Sequence, residues 1–75
     1  MSRVGDRDKF VELAEKRVNR ALKDIRLIGN LSNKSNYVYS EEDARKIIKA
    51  LKQAVDEVKL RFDSKGMDIQ DQFKL

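Results

Sequence analysis

A chain of 75 residues with a net charge of +4 and 40% charged side chains is expected to hold one small core, with no second domain, and to favour helix over sheet. It has no cysteine or histidine, which excludes disulfides and Cys/His zinc sites and removes the commonest nucleophile and general base. The expectation is therefore a non-enzyme with no catalytic residue, metal site or cofactor.

The N-terminus, Met1 to Asp8, lacks the apolar stretch of a secretory leader, and no stretch has the length of a membrane span. A cytoplasmic location with no membrane partner is expected. The first periodic segment carries Phe10, Ala14, Val18, Ala21, Leu22, Ile25 and Ile28 at spacings of three and four, which predicts a helix over about 8–28 with one apolar stripe. Asp6 or Asp8 is its expected N-cap, and Glu12/Lys16 an expected i,i+4 pair. Gly29 and Asn30, both tolerant of the left-handed conformation, are expected to stop it.

This segment also holds the basic excess: residues 1–28 carry eight Lys and Arg against five Asp and Glu, and Lys34 adds one more charge beyond them. At 100° per residue Lys9, Lys16, Arg20 and Lys23 share a narrow sector opposite the apolar stripe, flanked by Arg17 and Arg26. Such a row suits the successive phosphates of a nucleic acid. The alternative is an ordinary solvated helix face, which the bordering Glu12, Glu15 and Asp24 favour.

The connection from Gly29 to Tyr39 is long for a helical protein of this size. Asn30, Asn33 and Asn36, with two serines, offer side-chain turns that would order it. With Lys34, Tyr37 and Tyr39 they also form a donor-rich set able to hold a phosphate or stack a base. In the other reading the asparagines cap their own backbone and the tyrosines cover the core. Tyr37 and Tyr39 would point to one side of an extended segment, and Tyr37 or Val38 is a candidate hydrophobic staple.

Ser40-Glu41-Glu42-Asp43 matches the capping-box pattern and marks the start of a second helix, over about 41–62. Its stripe runs through Ala44, Ile47, Ile48, Leu51, Val55, Val58 and Phe62, supported by the pairs Glu41/Arg45, Glu42/Lys46 and Glu57/Arg61. A weaker basic row, Arg45, Lys49, Lys52 and Lys59, is interrupted by Asp56. The helix is expected to fade near Asp63 and Ser64. Met67, Ile69, Phe73 and Leu75 allow either a short third C-terminal helix or a frayed end.

The expected fold is all-α, an antiparallel two-helix hairpin forming one domain over 1–75, with 1–7 and 65–75 its flexible parts. A lone hairpin buries too little apolar surface to offset backbone ordering of about 1–2 kcal/mol per residue, so self-association is expected. Leu13, Leu27 and Leu60 lie off the stripe centres as a second surface.

The run Ile25-Arg26-Leu27-Ile28-Gly29-Asn30-Leu31-Ser32-Asn33-Lys34-Ser35-Asn36-Tyr37-Val38-Tyr39-Ser40-Glu41-Glu42-Asp43 resembles a segment of small bacterial proteins, some carried on mobile elements. The resemblance implies a self-contained unit centred on the loop and brings no activity or site residue with it. The functional expectation is an interaction module that engages nucleic acid or a nucleoprotein through the basic face and the loop. A protein-binding inhibitor or adaptor and a purely structural dimer are the alternatives.

Overall fold

The computed structural model describes residues 3–65, with side chains described from Asp6 onward. It is all-α: helix α1 spans Arg3–Gly29, a single 3-10 turn spans Asn30–Ser32, and helix α2 spans Glu41–Asp63. The chain divides into two compact units, Met1–Val38 and Tyr39–Leu75. The expected C-terminal helix lies outside the described residues.

Both helices exceed the ~12–15 residues at which an isolated helix becomes marginal in water. That length matters because no residue is buried among those described. Within each unit the support is consequently local: backbone hydrogen bonds, terminal caps and neighbours one turn away.

α1 begins at Arg3, several residues before the expected start near Asp8. Asp6 falls in the first turn, where its charge suits the positive end of the helix dipole, and neither it nor Asp8 precedes the helix as a cap. The Arg7 guanidinium lies 5.8 Å from the centre of the Phe10 ring, a cation–π contact one turn long. Glu12 and Lys16 do not come within ion-pair distance.

The other end of α1 also departs from expectation. Gly29 is right-handed helical, with φ −59° and ψ −30°, and the chain leaves through the 3-10 turn to an extended Asn33. A Cβ at Gly29 would meet nothing within 4 Å. Gly29→Ala is thus expected to stabilise α1 by about 0.5–1 kcal/mol, because only the unfolded chain exploits the glycine's freedom. A rise in helicity and melting temperature by circular dichroism checks this, and a loss would mean that the site needs a bare backbone.

α2 starts where the sequence places it. Ser40 Oγ accepts the Asp43 N–H at 3.0 Å while Asp43 Oδ2 accepts the Ser40 N–H at 2.9 Å, a complete capping box. Arg45 pairs with Glu41 at 3.7 Å and Lys46 with Glu42 at 3.8 Å, as expected. The expected Glu57/Arg61 pair is replaced near the C-terminus by Lys59/Asp63 at 2.7 Å. All are exposed and individually worth only a few tenths of a kcal/mol.

α2 ends through Ser64, whose N–H donates to the Leu60 carbonyl at 2.9 Å and whose Oγ donates to that of Arg61 at 3.2 Å. Lys65 then turns left-handed at φ 59° and donates its N–H to the Phe62 carbonyl at 3.0 Å. This is the position glycine ordinarily takes after a helix. Lys65→Gly should raise the stability of α2 by about 0.5–1 kcal/mol in a urea titration; an unchanged midpoint would count against strain there.

The α2 stripe repeats every seven residues. Ala44, Leu51 and Val58 make one line along the helix and Ile47 and Ala54 a second, while Ile48, Val55 and Phe62 make a third beside them.

Candidate nucleic-acid interface

On α1, Lys9, Lys16 and Lys23 recur every seven residues, placing their Cα atoms about 10.5 Å apart along one side of the helix. Arg20 stands between the second and third, and Arg17 and Arg26 lie on opposite flanks. All six side chains are exposed. The face thus spans roughly half of the helix circumference over a length of about 25 Å.

Among the described residues, none of these six is within ion-pair distance of a carboxylate, although Glu12, Glu15 and Asp24 border the row. Three of the six cations of α2 are held differently. There Arg45, Lys46 and Lys59 each have an acidic partner one turn away. The surplus positive field of the chain accordingly sits on one face of α1, where it attracts anions with little internal compensation. Leu27, 54% exposed, lies within this face, on the side away from the apolar stripe.

The loop is ordered by Asn33. Its Oδ1 accepts the Ser35 N–H at 2.9 Å, an Asx turn, and its carbonyl accepts the N–H groups of Asn36 and Tyr37, each at 3.0 Å. Asn33 therefore shapes the backbone, as one of the two readings of the loop asparagines expects. Asn30 opens the 3-10 turn, Asn36 lies within the following turn, and both are exposed, as is Lys34.

Tyr37 is exposed and belongs to the first unit, which also carries the α1 face; half-buried Tyr39 opens the second. Asn30, Asn33, Lys34, Asn36 and Tyr37 thus share a unit with the basic row, and Tyr39 does not. Of the two staple candidates, Tyr37 is 48% exposed. Val38 is fully exposed, whereas Tyr39, directly before the Ser40 cap, and Ala44, at the matching place in the first turn, are both partly shielded.

The depressions on the described surface are shallow and open, and no three carboxylates come together there to hold a metal ion. No described helix is long and apolar enough to cross a membrane. Comparison with protein-family models, curated proteins and solved structures finds no match to the chain.

Proposed function

We propose that the protein is a non-enzymatic nucleic-acid-binding module that lays the outer face of α1 along a phosphate backbone in the cytoplasm. The observation that carries this reading is the contrast in charge pairing. Six exposed cations of α1 stand without an acidic partner among the described residues, while three of α2 are already paired. Each unpaired cation that meets a phosphate releases a condensed counterion, which is the main source of sequence-independent affinity.

Lys34 and Tyr37, in the same unit, extend the face with one more charge and a ring able to stack on a base. A mobile-element setting, as the likeness of Ile25–Asp43 implies, supplies such a partner. The test is titration of labelled duplex and single-stranded DNA and RNA across a series of salt concentrations. Binding with a steep salt slope is expected, and no binding at low salt removes the reading.

A second reading, a protein-binding adaptor, draws on the exposed apolar groups Leu27, Tyr37 and Val38. It expects one dominant partner in a pull-down, lost on Leu27→Asp or Tyr37→Ala. Insensitivity to both changes counts against it.

A further inference from the structure

Between its flanks the cationic face of α1 is not uniformly basic. Lys9, Lys16 and Lys23 form its middle line; Glu12 and Asn19 lie to one side of that line, and Leu13, Arg20 and Leu27 to the other. Glu12, Asn19 and Leu27 are exposed. A phosphate attracts neither the leucine nor the amide with any strength and repels the carboxylate. One phosphate backbone therefore accounts for the lysine line and not for its neighbours.

Arg17 and Arg26 mark the two edges of the face. Nine residues apart, they stand about 180° apart around the helix and about 13 Å apart along it, so they reach to opposite sides. A single backbone meets one of them; two backbones with a floor between them meet both. With its side chains a helix is about 10–12 Å across, which the major groove of B-DNA, about 12 Å wide, admits and the minor groove, about 6 Å wide, does not. We propose that α1 lies lengthwise in the major groove of duplex DNA, with Arg17 on the phosphates of one strand and Arg26 on those of the other. This rests on the nucleic-acid reading above and narrows it to one partner.

The floor of that groove offers what a backbone does not: thymine methyl groups for Leu27, the N7 and amino group of adenine for Asn19, and the amino group of cytosine for Glu12. Lys16, Arg20 and Lys23 carry their charges on long flexible stems that turn to either wall. Asp24 and Glu15, at the edges, are about 10 Å or more along the axis from the arginine of their own edge, so neither neutralises it. The major groove of duplex RNA is too deep and narrow to receive a helix. A single strand supplies no second wall and is held by stacking, yet the one aromatic residue of α1, Phe10, belongs to the apolar stripe.

The test is titration of the full chain into a short labelled DNA duplex, the RNA duplex of the same sequence, and the separate strands. Losing even one wall contact costs about 0.9 decade at 0.1 M salt, so the DNA duplex is expected to bind roughly tenfold more tightly than the others. Treated with dimethyl sulfate, the saturated duplex should have guanine N7, in the major groove, protected and adenine N3, in the minor groove, as reactive as in free DNA. Arg17→Ala and Arg26→Ala should each lower the salt slope by about 1, and together by about 2, with the helical circular dichroism kept. Equal or tighter binding of RNA or single strands, an unprotected N7, or a slope that responds to only one of the two arginines overturns the groove and leaves the broader reading standing. No binding to any of these probes removes both.

Discussion

Reversing the charges of Lys16 and Arg20 together is expected to weaken binding to duplex DNA roughly fiftyfold at 0.1 M salt. Each phosphate contact contributes about 0.9 to the slope of log affinity against log salt, so two contacts account for close to two decades between molar and tenth-molar salt. The slope itself should fall by about 2. Both residues are exposed on the helix surface and glutamate is a good helix former, so the variant should keep its circular dichroism. The informative control is the equal reversal of Arg45 and Lys59, which removes the same net charge from α2 where Glu41 and Asp63 already balance it. A much smaller loss there places the contact on α1; equal losses would mean that only total charge matters.

Ser40→Ala is expected to cost α2 about 1 kcal/mol, read as a lower urea midpoint by circular dichroism. The change removes the acceptor for the Asp43 N–H, whereas the Asp43 carboxylate can still receive the N–H of residue 40. Ser40→Gly should cost only a few tenths, because glycine leaves the end amides open to water. Combining Ser40→Ala with Asp43→Ala should cost less than the sum of the two, since each half of the box supports the geometry of the other. Strict additivity would show that the two bonds act separately. With no residue buried among those described, a single cap is a large share of what holds this helix.

The features legible in the sequence are those whose cause is local. The Ser40 start needs only a hydroxyl and an acid three residues on, and the Glu41/Arg45 and Glu42/Lys46 pairs follow from one turn of helix with the acid leading. Lys59/Asp63 has the less favourable order and was not expected from spacing, yet it is the shortest of the three pairs. Asp6 and Asp8 suit the first turns of a helix as well as its cap, so their charge could not fix the start of α1.

Glycine permits a positive φ without requiring it, and that is why Gly29 could be read as a left-handed stop and stand instead in regular helix. The left-handed residue is Lys65, one position before a glycine, because the end of α2 is set by its own last turn. In the candidate site, the membership of the α1 row followed from angular spacing. Its lack of carboxylate partners among the described residues did not, since a bordering acid closes on a neighbouring cation or turns to water with little difference in energy. Among three loop asparagines the composition foresaw side-chain turns, but only the folded chain singles out Asn33.

The seven-residue recurrence of Lys9, Lys16 and Lys23 makes this surface a matter of phase. One residue inserted between Arg17 and Arg20 would rotate everything beyond it by about 100°, turning Arg20 and Lys23 away from Lys9 and Lys16 and carrying the apolar stripe with them. Seven inserted residues would restore the alignment to within about 20° and only lengthen the rod. Over most of α1, then, the spacing of residues is constrained more tightly than their identity, and lineages of this chain should vary by substitution, or by whole repeats, far more readily than by single insertions.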